Sequence, residues 1–157
     1  MADVDDSSRP RQEELWEAHA RELVRYATLL VGPADAPDVV AIAFSKLTAS
    51  SRLDLSNPRA YLFRVATNVA FDQLRSAKRR QRRDLAAALP ESVAQLDSHV
   101  DVRRAVARLS VGERAVVYFA YWEDLDTATI AALLQINPGT VRRRLERARF
   151  QLRRILE

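Results

Sequence analysis

Near the C-terminus, Val141, Leu145, Ala148, Leu152 and Ile155 step by 4, 3, 4 and 3 along the chain. Only a helix brings residues at that spacing onto one face, since a strand would scatter them over both. Asn137 and Pro138 precede the stripe, and together they form a helix start: an oxygen-bearing cap, then a proline whose missing N–H costs nothing in the first turn. Asn57-Pro58 repeats that start mid-chain. The same logic predicts helices at about 12–31, 35–49, 58–80, 99–108, 111–122 and from 126 or 127 to 134. The stop is Gly32-Pro33, and the caps are Asp35, Ser110, and Asp126 or Thr127. Only 3 glycines occur, and Ala, Leu, Arg and Glu dominate. The fold class is therefore all-α.

With 157 residues and 48% hydrophobic content, the chain fits one ordinary domain or two small helical ones with thin cores. Charge favours two. Residues 58–83 carry eight Lys/Arg and one acid, Asp72. Residues 84–101 carry four acids and no Lys/Arg, and residues 137–157 carry seven Arg against Glu146 and Glu157. The organisation expected is a disordered tail at 1–10, a helical domain at 11–83, a flexible acidic linker at 84–98 around Pro90, and a second helical domain at 99–157.

Two separate basic clusters are the electrostatic footprint of phosphate contacts. Residues 126–149 have helix-turn-helix proportions: a two-turn helix, a short turn at Gln135-Ile136, then a basic helix. Arg142, Arg143 and Arg147 lie off its apolar stripe and are placed to read guanine edges in a major groove. Asn137 and Thr140 stand at the helix start, where free amides favour phosphate. In 58–83, Tyr61 and Phe63 lie among Arg64, Asn68, Asp72, Arg75, Lys78, Arg79 and Arg80. Aromatics beside cations can stack unpaired bases, although by periodicity Tyr61 and Phe63 fit a core equally well. Asn68 and Asp72, four apart, share a helix face and can reach a base edge.

The chain contains no cysteine, so disulfides and thiolate metal sites are excluded. His19 and His99 lack metal-ligand spacing, and no nucleophile motif or phosphate-cradling glycine loop occurs. No cofactor, no metal and no enzymatic activity are expected. The first nine residues are polar and acidic, unlike a signal peptide, so a cytoplasmic protein is expected.

In order and spacing, these segments resemble the sigma-70 family of bacterial RNA polymerase initiation factors. The likeness is strongest to its small extracytoplasmic-function (ECF) group, which keeps only regions two and four. Leu23–Ala27 and Asp35–Phe44 are similar to the first helices of region two. Asn57–Arg80 resembles the part that melts and reads the minus-ten element, and Asn68, Asp72 and a Lys78–Arg83 loop fall where the family captures a flipped base. Glu113–Val117, Glu123–Leu125 and Ile130-Ala131 resemble region four, and Gly139–Arg149 resembles its recognition helix for the minus-thirty-five element.

The resemblance implies core RNA polymerase and promoter DNA as partners, an anti-sigma factor as a further one, and two helical domains on a flexible linker. It places polymerase contacts at Asp38, Ala41, Ile42 and Lys46. Three positions depart from the family pattern. Ala41 and Ile42 stand where Gln and Glu are common, Gln135 replaces a turn glycine, and Arg143 replaces a small polar residue. Two other readings of the residues stay open. One is a helix-turn-helix regulator that never joins polymerase, which leaves 58–83 without a purpose. The other is a sigma-like adaptor that binds protein only.

Overall fold

The computed structural model describes residues 8–49, 56–84 and 98–157. Among the described residues seven α-helices follow one another: α1 Ser8–Val31, α2 Ala36–Ala49, α3 Pro58–Asp84, α4 Ser98–Ala107, α5 Val111–Val117, α6 Thr127–Leu134 and α7 Pro138–Leu156. A wide π-turn, Tyr118–Trp122, extends α5. No strand occurs among the described residues.

Most starts fall where the caps predict. Ser110 and Glu113 form a reciprocal box: the Ser110 hydroxyl accepts from the Glu113 amide at 3.2 Å, and Glu113 accepts from the Ser110 amide at 3.0 Å. Asp126, and not Thr127, caps α6, accepting from the Thr129 amide at 2.7 Å. That backbone hydrogen bond comes first among the causes holding the Asp126 carboxyl below its ordinary range.

Four boundaries differ from expectation. α1 begins at Ser8, with Pro10 inside its first turn, where proline breaks no hydrogen bond. Of the expected tail, residues 1–7 lie outside the described residues. α3 runs to Asp84, so the basic stretch 78–83 is helical and not a loop. α5 stops at Val117, where the π-turn takes over. The expected linker at 84–98 begins on the last residue of α3 and ends on the first of α4; residues 85–97 lie outside the described ones.

Helices α1, α2 and α3 pack on one another around Leu23, Leu30, Val39, Val40, Leu47, Leu62 and Ala66. Helices α4, α5, α6 and α7 enclose Leu109, Val116, Ile130 and Val141. The two units also share a core. Tyr26 and Phe63 from the first meet Tyr118 and Phe119 from the second, with ring centroids 4.9 to 6.4 Å apart. The thin cores expected of two small domains are thereby thickened at their junction. Each such aromatic contact adds about 0.5–1.5 kcal/mol beyond area burial. The Tyr26 hydroxyl is satisfied inside by Thr67 Oγ1 at 2.6 Å, and burial pushes its pKa far above the usual phenol range.

Candidate nucleic-acid interface

The start of α7 is built from its own sequence. Asn137 is extended (φ −69°, ψ 137°), its Oδ1 accepts from the Gly139 amide at 2.7 Å, and Pro138 opens the helix. Val141, Leu145 and Ala148 point into the core. That orientation leaves Arg142, Arg143 and Arg147 exposed on the opposite side. Thr140 is half-buried, and its Oγ1 accepts from Arg143 Nη2 at 3.3 Å. The N-terminal amides and the helix dipole add positive potential at the same end.

Between α6 and α7, Gln135 takes the left-handed conformation that glycine favours (φ 53°). The Gln135 amide donates to the Ala132 carbonyl at 3.3 Å and the Ile136 amide to the Ala131 carbonyl at 3.0 Å. This is a Schellman closure, so the turn keeps its shape despite the missing glycine.

The start of α3 uses the same device: Asn57 Oδ1 accepts from the Ala60 amide at 3.0 Å. Beyond it, Asn68, Asp72, Arg75, Lys78, Arg79 and Arg80 are all exposed. Tyr61 is half-buried, with the Arg64 guanidinium over its ring at 5.4 Å. Phe63 is a correction. Its ring is fully buried between Tyr26 and Phe119, so in this structure it is a core residue and no platform for a base. Spacing could not separate it from Tyr61, because the burial comes from another part of the chain.

On α2, Val39, Val40, Ala43, Phe44 and Leu47 face inward. Asp38, Ala41, Ile42 and Lys46 are exposed together on the other side. Ile42 is 37% exposed, so it is no core residue displaced from the family pattern.

Sequence reasoning missed a set of arginines that turn inward. Arg59 forms an ion pair with Glu22 and donates to Glu123 Oε2 at 3.0 Å, its guanidinium lying 4.9 Å from the Phe63 ring. The hydrogen bond from Arg59 is the main cause holding the Glu22 carboxyl below its ordinary range. Arg114 donates to the Leu109 carbonyl at 2.9 Å and to the Leu30 carbonyl at 2.5 Å, tying α5 to the end of α1. Arg144, inside the basic run of α7, lies 5.7 Å from the Phe71 ring of α3. Gly112 makes room for it, since a Cβ there would sit 2.8 Å from the Arg144 guanidinium carbon. Apart from Leu109, the hydrogen-bonded partners lie 37 to 84 positions away, so no local pattern announces them.

The fold and its exposed basic helices define a two-part, all-helical DNA-binding protein. Comparison with known proteins narrows this. Residues 15–80 match the family model for sigma-70 region 2, and residues 99–152 match that for sigma-70 region 4. The ECF RNA polymerase sigma factor SigL of Mycobacterium tuberculosis is 35% identical over 154 residues, covering 91% of this chain and 87% of its own. SigM of the same organism is 32% identical over 92% of this chain and 76% of its own. Among solved structures, the sigma factor RpoE of Bartonella quintana, in complex with the anti-sigma factor NepR, shares the fold with a TM-score of 0.68. Identity there is 24%, over 92% of this chain and 95% of that one. CnrH, in complex with the cytosolic domain of CnrY, gives 0.61 at 24% identity, over 92% and 86%.

The chain belongs to the ECF group of the sigma-70 family of RNA polymerase sigma factors. It is a transcription initiation factor that binds core RNA polymerase and promoter DNA. The family acts by binding and not by catalysis. Among the described residues, no helix is long and apolar enough to cross a membrane.

Proposed function

We propose that α7 reads the minus-thirty-five duplex and that the outward half of α3 holds the opened minus-ten strand. Arg142, Arg143 and Arg147 contact base edges, while Asn137 and Thr140 meet phosphate at the helix start. On α3, Asn68 and Asp72 face the captured base, and Arg75, Lys78, Arg79 and Arg80 neutralise its backbone, with Tyr61 and Arg64 beside them. Asp38, Ala41, Ile42 and Lys46 meet the polymerase. The region-two part spans about 11–83 and the region-four part about 99–157. An anti-sigma protein is a further partner, as for RpoE of Bartonella quintana, and the site of action is the cytoplasm.

The observation that supports this reading best is the sidedness of α7. Three arginines share the solvent face of a capped helix whose opposite face is buried. Base extrusion at the minus-ten element costs a few kcal/mol, which the exposed Asn68–Asp72 face and the cations after it are placed to offset. Co-purification with core polymerase, followed by transcription from a defined start site, tests the assignment. Duplex binding without polymerase binding would favour the helix-turn-helix regulator instead. Polymerase binding with no promoter preference would favour the adaptor.

A further inference from the structure

We propose that Glu146 is a specificity-determining residue. Its carboxylate accepts from the N4 amino group of a cytosine in the major groove, and so fixes a C·G pair beside the guanines that the arginines read. This role rests on the proposal that α7 reads the minus-thirty-five duplex. Glu146 is the single acid between Pro138 and Leu156, and it is exposed. At about 100° per residue it falls about 40° from Arg142 and about 60° from Arg143, between the two and turned away from Val141, Leu145 and Ala148. An acid within a helix ordinarily serves a cap, the dipole or an ion pair, and Glu146 serves none of them. It is the ninth of 19 residues, too far from either end for the dipole or a cap. The arginines three residues away on either side turn elsewhere. Arg143 donates to Thr140 Oγ1 at 3.3 Å, and Arg149 to the Tyr121 hydroxyl at 2.6 Å. Among the described residues the Glu146 carboxylate makes no ion pair and no hydrogen bond.

On a helix set against phosphates, an unpaired carboxylate repels every duplex alike, so its place within the reading face is favourable only where a base donates to it. The chemistry of the bases selects cytosine. A carboxylate only accepts. In the major groove guanine offers O6 and N7 and thymine offers O4, all of them acceptors. Donors come from cytosine N4 and adenine N6, and adenine sets its N7 acceptor beside the donor. Along the helix axis Glu146 lies about 6 Å from Arg142 and about 4.5 Å from Arg143, which is one to two base-pair steps. The cytosine therefore falls within two pairs of a guanine held by either arginine.

The full chain, bound to core polymerase, is used to select from duplexes randomised over the upstream element. The recovered sequences are compared for wild type, Glu146→Gln and Glu146→Ala. Wild type should favour cytosine about tenfold at one position close to the selected guanines. Glu146→Gln should move that position alone to adenine, because an amide pairs with adenine N6 and N7 together. Glu146→Ala should make the position indifferent to base while the guanine positions hold. An unchanged preference in both variants, with affinity for all duplexes raised alike, would overturn the proposal and leave Glu146 a solvated charge. So would guanines selected by the wild type with no cytosine position among them. Loss of preference at the guanine positions instead would overturn it too, and make Glu146 a support for Arg142 or Arg143. Failure of the promoter reading has its own signature and would overturn both: the wild-type complex would enrich no upstream sequence at all.

Discussion

α3 and α7 begin alike and end up serving differently. Both start with Asn-Pro, both carry dense arginine, and both bury one apolar stripe. On α7 exposed arginines begin at Arg142 and Arg143, one turn past the cap, and recur at Arg147, so none of these three is engaged by the neighbouring unit. On α3 the early arginines are engaged by protein, Arg59 with two carboxylates and Arg64 with Tyr61, and the exposed cations come only from Arg75 onward. A basic helix is therefore not one surface. Where its arginines sit relative to the cap and the neighbouring unit decides whether they meet nucleic acid or the chain itself.

The largest effect that sharpens this contrast is on α7. Arg142, Arg143 and Arg147 replaced together by Ala should lose upstream-duplex binding, each base-reading arginine being worth about 1–3 kcal/mol. Thermal stability should hardly move, since all three are exposed. A titration showing wild-type affinity would break the comparison.

Phe63→Ala tests the other helix. Loss of a fully buried ring should destabilise the fold by about 3–5 kcal/mol in denaturant unfolding. An unchanged midpoint would return Phe63 to the surface and to a role in stacking.

Asn68→Ala with Asp72→Ala should leave the fold within about 0.5 kcal/mol, as exposed positions do. Open-complex formation should suffer, by about 0.5–1.5 kcal/mol for each hydrogen bond lost. Permanganate reactivity of promoter thymines reads this directly, and full reactivity would remove α3 from the melting step.

The two caps allow a matched pair. Asn57→Ala and Asn137→Ala should each cost about 1 kcal/mol of stability. Only Asn137→Ala should also weaken duplex binding. Equal effects on binding would mean that the two helix starts do not differ in function.

The smallest expected effect is on pH. Glu22 has its pKa lowered by Arg59, so its stabilising contribution is full above the ordinary glutamate range. It is lost as pH falls through the depressed value. Glu22→Gln should flatten the acid side of the stability profile, and an identical profile in the variant would show the pair to be inert.

Much of this was legible in the sequence, and the rest has a common physical reason for being hidden. Asn57, Ser110, Asp126 and Asn137 announce helix starts through atoms a few residues away, and the 4-3-4-3 stripe of α7 needs no tertiary information. The exposure of Arg142, Arg143 and Arg147 follows from that stripe. Arg59, Arg114 and Arg144 read as more of the same charge, because their partners Glu22, Glu123, Leu30 and Phe71 belong to distant segments. Phe63 was ambiguous for that reason too. The early start of α1 at Ser8 was masked by a proline that the first turn tolerates.

The π-turn has a consequence for how such chains change length. In the turn, the Glu123 amide donates to the Tyr118 carbonyl at 3.2 Å and the Leu125 amide to the Phe119 carbonyl at 2.9 Å, spans one or two residues wider than an α-helical bond. A π-turn is an α-helix holding one residue too many. Removing a single residue there would bring the Glu123–Tyr118 span to α-helical width and swing everything beyond it by about 100°. Glu123 sits at the end of that turn, so a one-codon deletion would carry its carboxylate away from Arg59 without altering the chemistry of any side chain. Chain length at this spot is a dial that evolution can turn in single steps.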